Sequence, residues 1–158
     1  MAKICDHTSV AMFIWKDGKL LLIERGKIPF GFALPAGHTD GDKTFEEAAK
    51  RELEEEVGLK AVSMKKILEI RKENPCRREG GTWHLWKLYE VSVEEGEIKR
   101  SLDETKRAGW YSKEEIEKFA KRTEEYQNGR ISEEEWRERP GLEPVMLEFF
   151  RDLKIVKQ

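Results

Sequence analysis

The chain has 158 residues, enough for one domain with a true core and too few for two comfortable ones. Apolar residues make up 38% and charged residues 39%, which leaves enough Val, Ile, Leu, Phe and Trp to pack an interior and excludes a disordered chain. A formal net charge of -2 excludes a global basic field, so duplex nucleic acid is not an expected partner.

The segment from Met1 to His7 leads into an apolar run over residues 10–15. That run is shorter than a signal-peptide core or a membrane span, so a cytoplasmic location with no membrane partner is expected. A second run, residues 20–23, follows Lys16-Asp17-Gly18-Lys19. Asp-Gly is a strong two-residue turn signal, and the two runs are expected to pair as an opening β-hairpin. Residues 28–41 are rich in Pro and Gly and read as irregular backbone with a short strand at 32–34. Thr44-Phe45-Glu46-Glu47 has the form of a capping box, and the helix it starts can run to Gly58 as a C-terminal stop. Strands follow at 61–71 and 82–93 around a polar loop, with a last short strand at 108–111. Ser112 and Ser132 open two further helices, and Pro144 suits the first turn of a closing one. Strands at both ends of one long helix, then more helices, give a single mixed α/β domain over residues 1–158.

On a helical wheel at roughly 100° per residue, Glu47, Lys50 and Glu54 form a solvated arc opposite Phe45, Ala48 and Ala49. Glu52, Glu55 and Glu56 fall instead within the broad apolar arc. Spaced at i, i+3 and i+4, their side chains can converge on one protein-facing point. Three like charges so close raise one another's pKa unless a cation sits among them. An all-oxygen site favours a hard ion, Mg²⁺ or Mn²⁺, over zinc. The residues equally allow an ordinary acidic helix in which Glu46 pairs with Lys50 and Glu47 with Arg51. Cys5 and Cys76 stand far apart and, beside His7, His38 and His84, show no disulfide framework and no paired zinc spacing, so two reduced thiols are expected.

Gly37 followed by Arg51-Glu52-Leu53-Glu54-Glu55-Glu56-Val57-Gly58-Leu59 resembles the Nudix box, G-x5-E-x7-R-E-U-x-E-E-x-G-U with U apolar. Every fixed position but one is matched, at the right spacing, over residues 37–59. The resemblance implies the Nudix fold, a mixed β-sheet sandwiched between α-helices. It also implies a magnesium-dependent hydrolase, with manganese as an alternative ion. Its substrate would be a nucleoside triphosphate or another nucleoside diphosphate-linked compound such as ADP-ribose, cleaved at the pyrophosphate bond by attack of water at phosphorus. In the family the residues matching Glu55 and Glu56 bind metal, often with a backbone carbonyl from the loop at Ala36 and Gly37. The residue matching Glu52 is a metal ligand or the general base, and Arg51 organises the loop. Glu104, in a loop before Trp110, matches a further metal-binding carboxylate of some members, or is one more surface acid beside Asp103. Family members often dimerise, so a homodimer is compatible with the resemblance.

The departure is Lys43, where the family usually carries its first box glutamate, commonly paired with the arginine matching Arg51. Asp40 and Asp42, in the same loop, are the available replacements. Lys43 keeps a second reading open, a Nudix-fold nucleotide-binding module or regulator without efficient turnover, although three retained acids favour the enzyme. Arg71, Lys72, Arg77 and Arg78 cluster around the loop after the fourth expected strand and Arg25 follows the hairpin; such cations either meet phosphates or are merely solvated. Trp83 faces opposite to His84 and Trp86 on one strand, and either indole can stack a base or join the core. Pro75 stands where ADP-ribose-hydrolysing relatives tend to carry proline, although Asn74-Pro75 is also an ordinary turn.

Overall fold

Asp17 and Gly18 turn the chain as expected, both with left-handed φ, 52° and 76°, as a type I′ turn requires. In the computed structural model, which describes residues 3–157, this turn joins β2 (Trp15–Lys16) to β3 (Lys19–Arg25). Met1, Ala2 and Gln158, which the expected domain and the amino-terminal reading include, lie outside the described residues.

The expected hairpin is only partly right. β1 (Thr8–Phe13) belongs to a different sheet, and the chain changes sheets at Ile14. Val10 through Ile14 are all buried, so this stretch is covered on both faces, as a central strand is, and does not alternate like a half-exposed hairpin arm. Further along the chain come β4 (Phe32–Ala33), β5 (Ala36–Gly37), β6 (Ala61–Lys72), β7 (His84–Val93) and β8 (Thr105–Tyr111). β5 was read as loop because two residues between Pro35 and His38 carry no strand pattern; it is a strand because Val10 and Ala11 supply its partners.

Among the described residues the strands form two four-stranded sheets. The first, in order β5-β1-β7-β6, is mixed: β1 runs parallel to β7, and the other pairs are antiparallel. The second is antiparallel, with β3 central between β8 on one side and β2 and β4 on the other. α1 (Phe45–Val57) covers one face of the mixed sheet, where Tyr89 donates to Glu46 at 2.9 Å and Lys87 lies over the Phe45 ring. α4 (Pro144–Asp152) covers the other, with Phe150 against Phe13 and Phe149 edge-on to Trp86. The mixed sheet is therefore sandwiched between helices, as expected. α2 (Lys113–Gln127) and the short α3 (Glu133–Glu138) lie between β8 and α4 in the chain. Phe119 of α2 stacks on Phe32 of β4.

The caps are those the sequence announces. Thr44 accepts from the Glu47 amide, Gly58 closes α1 at φ 70°, Ser112 forms a reciprocal capping box with Glu115, and Ser132 caps α3. Leu53 of α1 is fully buried, so Leu53→Ala is expected to lower stability by about 2–5 kcal/mol in urea denaturation, while Glu54→Ala on the exposed face stays within about 0.5 kcal/mol.

Candidate active site

The end of β5 lies against the face of α1 that carries Glu52 and Glu56. A Cβ added at Gly37 would collide with the Glu52 carboxylate, so a side chain there would displace that carboxylate from its place. The Ala36 amide donates to Glu56 Oε1 at 3.2 Å. Glu56 is buried, and its Oε2 has no hydrogen-bond partner among the described residues. Burial, reinforced by the Glu52 charge, raises the Glu56 carboxyl well above the ordinary range. Burial likewise pushes Glu52 from 4.5 to about 7, against the pull of the Arg51 charge and its hydrogen bond. Glu55 borders the same cavity from its rim, with 60% of its side chain exposed. The three acids thus share one cavity at graded depth and do not meet equally at a buried point.

Arg51 binds this arrangement together. Its Nε donates to Asp42 at 3.0 Å, Nη1 to Glu52 at 2.8 Å and to Glu55 at 3.3 Å, and Nη2 to the carbonyls of His38 at 2.9 Å and Thr39 at 3.4 Å. The Glu47–Arg51 pair of the ordinary acidic-helix reading is absent among the described contacts, because the guanidinium turns to the loop. Asp42 therefore takes the pairing that Lys43 cannot supply, and Lys43 is exposed. Asp40 is engaged elsewhere, accepting from both terminal nitrogens of Arg78.

The acids open into a cavity of about 520 Å³ whose wall includes residues of both sheets. Glu104 and Arg25 line it, as do Arg77 and Arg78. Glu104 is half-exposed, 3.2 Å from Lys27 and 3.9 Å from Arg77. Arg25 donates to the Pro29 carbonyl at 2.6 Å and lies 3.6 Å from Glu143. Pro75 is also in the wall. Two candidates are not brought here. Trp83 is held between His7, stacked at 4.0 Å, and the Arg71 guanidinium, 4.1 Å from its ring centroid, and Arg71 also pairs with Glu73. They face away because Trp83 alternates with His84 along the chain. Trp86 borders the cavity but is 6% exposed, edge-on to Phe149 and tied by Nε1 to Asn74 at 3.0 Å, so it is a core residue and not a free stacking platform.

Sequence reasoning passed over Glu143. It is buried at the start of α4, and burial raises its carboxyl above the ordinary range, partly offset by Arg25. Backbone bonds from Phe32 to Gly141 and from Glu143 to Phe32 bring it there, and only Pro144 hinted at the element it begins. The separation of Cys5, His38, Cys76 and His84 in sequence is likewise misleading, since all four converge in space. Burial, assisted by Arg78, pulls the His38 ring down to about 4.

A mixed and an antiparallel sheet, with a carboxylate-bearing helix docked on a glycine strand end, are matched in known proteins. The sequence profile of the NUDIX domain matches residues 6–132. An ADP-ribose pyrophosphatase of Methanocaldococcus jannaschii is 36% identical over 119 residues, 72% of this chain and 68% of that protein. Phosphatase NudJ of Escherichia coli is 43% identical over 58 residues, which span 35% of this chain and 37% of that protein. A solved NUDIX hydrolase from Nitrosomonas europaea superposes with a TM-score of 0.60 at 27% identity, covering 78% of this chain and 90% of that one. The chain belongs to the Nudix family and is a MutT-like pyrophosphohydrolase.

Because Asp42 already fills the arginine's partner position, Lys43→Glu is expected to leave turnover nearly unchanged, whereas Asp42→Asn should lower it several-fold by loosening the loop over residues 38–42. Steady-state rates on a common substrate check both; a large gain in Lys43→Glu would show that Asp42 is a poor replacement.

Proposed function

We propose that this one-domain protein is a magnesium-dependent pyrophosphohydrolase of nucleoside diphosphate-linked compounds, with ADP-ribose the first substrate to test and nucleoside triphosphates the second. The observation that carries the reading is the buried Glu56 carboxylate, whose Oε2 lacks a protein partner beside a second buried acid. An orphaned buried oxygen is costly unless something outside the chain satisfies it. A divalent ion fits: the donors around that oxygen are carboxylates, with the backbone at Gly37 pressed against Glu52, and such all-oxygen sets suit Mg²⁺ or Mn²⁺. Glu52, Glu55 and Glu56, with the Gly37 carbonyl and Glu104 from the facing loop, would hold it. When bound, such an ion neutralises phosphate oxygens and acidifies water.

The remaining work falls to the chain itself. Arg25, Arg77 and Arg78 line the same cavity as the acids and can take the charge of a diphosphate. Arg51 keeps Glu52 oriented through Oε1. Held in this way, Glu52 would serve either as a further ligand of the ion or as the base that takes a proton from the attacking water. ADP-ribose is preferred because the relative from Methanocaldococcus jannaschii carries that activity in its name and matches across most of this chain. Asp42 removes the main motive for the binding-module alternative, since it meets the arginine that Lys43 would have left unpaired.

The test is a magnesium-dependent hydrolysis panel of ADP-ribose, nucleotide sugars, dinucleoside polyphosphates and nucleoside triphosphates, with product identification. Glu55→Gln and Glu56→Gln should each lose at least about 100-fold in turnover with the fold intact. Unchanged rates in both would remove the metal assignment.

The raised acids also fix a pH dependence. Glu52 binds its proton more tightly folded than unfolded, so its contribution to stability is full below its ordinary 4.5 and is lost as pH rises through about 7. His38, depressed to about 4, acts in the opposite direction over part of that window, so the carboxyl effect is isolated by difference. In chelator, wild type minus Glu52→Gln stability should fall from about pH 4.5 to above 7, and added Mg²⁺ should stabilise wild type most at the alkaline end. A pH-independent difference in urea unfolding would contradict the assignment.

A further inference from the structure

Four soft or borderline ligands meet beside the cavity, each delivered by a different part of the chain. Cys5 precedes β1, His38 follows β5, Cys76 lies in the loop between β6 and β7, and His84 begins β7. One ligand atom from each lies within 4.8 Å of all the others. Cys5 Sγ is 3.6 Å from His38 Nε2 and 3.3 Å from His84 Nε2. Ligands at the usual Zn–S and Zn–N lengths on the corners of a tetrahedron stand about 3.3–3.8 Å apart, so these separations are the edges of such a figure. We propose that Cys5, His38, Cys76 and His84 form a zinc site, separate from the carboxylate cluster, that fastens the amino-terminal segment and the β6–β7 loop to the loop following β5.

The surroundings are arranged for that role. His84 Nδ1 lies 3.0 Å from the Asn74 carbonyl, and donation there leaves Nε2, the atom facing the sulfurs, as an unprotonated ligand. Backbone amides point at both sulfurs: the His7 amide donates to Cys5 at 3.3 Å and the Arg78 amide to Cys76 at 3.4 Å, as suits thiolates. A Cβ at Gly81 would collide with Cys76 Sγ, so the loop folds back tightly around the sulfur. Cys5 and His84 are buried and the other two half-buried, which places the set too far inside for a chance surface cluster. Binding would release one proton from each thiol, and two thiolates with Zn²⁺ give a neutral unit that suits this interior. Two sulfurs and two imidazole nitrogens select zinc over the hard ion of the acids, and four protein ligands close the shell, so the site is structural.

The experiment is metal analysis of the full chain purified anaerobically with reductant and without chelator, followed by replacement with Co²⁺. One zinc per chain is expected, together with the visible bands of tetrahedral cobalt and a thiolate charge-transfer band. Cys76→Ala and His38→Ala, at the two half-buried positions, should lose the zinc, while Glu56→Gln should keep it. With excess Mg²⁺ present throughout, 1,10-phenanthroline should lower the wild-type Tm. The wild-type cobalt spectrum decides the matter if a variant fails to fold. No zinc and no tetrahedral cobalt spectrum, a Cys5–Cys76 disulfide in the reduced preparation, or zinc lost only in Glu56→Gln would overturn the proposal.

Discussion

Arg51 holds together two things that would otherwise separate: a loop of irregular backbone and a helix face crowded with acid. Its donors reach Asp42, two box glutamates and two loop carbonyls, so one planar cation satisfies groups that no secondary structure would satisfy. Lysine could not do this, because a point charge with three donors cannot span a side-chain carboxylate and consecutive carbonyls in one plane. The same cation opposes the rise that burial imposes on the Glu52 pKa, while burial raises Glu56 well above the ordinary range.

The site depends equally on how the two sheets divide the chain. Ile14 is the crossing point: β1 enters the mixed sheet and receives β5, and β2 and β3 build the other. Because β5 pairs with β1, its glycine end is fixed against α1; because β4 is bonded to the backbone around Gly141 and Glu143, a buried acid from near the far end of the chain reaches the same cavity. Cations from the end of β3 and from the β6–β7 loop line the same cavity as the acids.

What was legible in the sequence was local. Capping chemistry at Thr44, Ser112 and Ser132, the stop at Gly58 and the Asp17-Gly18 turn depend on neighbours within a few residues, and all stand where the pattern puts them. The box spacing likewise placed Glu52, Glu55 and Glu56 in one cavity. What failed depended on distant partners. β5 is too short to announce itself, Trp83 and Arg71 satisfy each other on the far face, and Asp42 is recognisable as the partner of Arg51 only once the loop is folded. Cys5, His38, Cys76 and His84 were dismissed on spacing, a criterion suited to motifs carried on one loop and blind to ligands gathered from four.

Gly37 and His38 set the carboxylate cluster and the four soft ligands next to each other in the chain. At Gly37 the absence of a side chain admits the Glu52 carboxylate, and one residue later the chain offers an imidazole to a cysteine sulfur. Hard oxygen donors and soft sulfur and nitrogen donors are thereby kept apart, and each set can select its own ion by donor chemistry without competition for the same position. His38 is held at both ends, its carbonyl by Arg51 and its ring beside the Cys5 sulfur. A loop outside regular structure is ordinarily among the more mobile parts of a fold, yet catalysis at phosphorus depends on positioning. In the proposed zinc site, fixing His38 from the ring side would constrain the backbone at Gly37 without drawing on the carboxylates proposed to hold the catalytic ion.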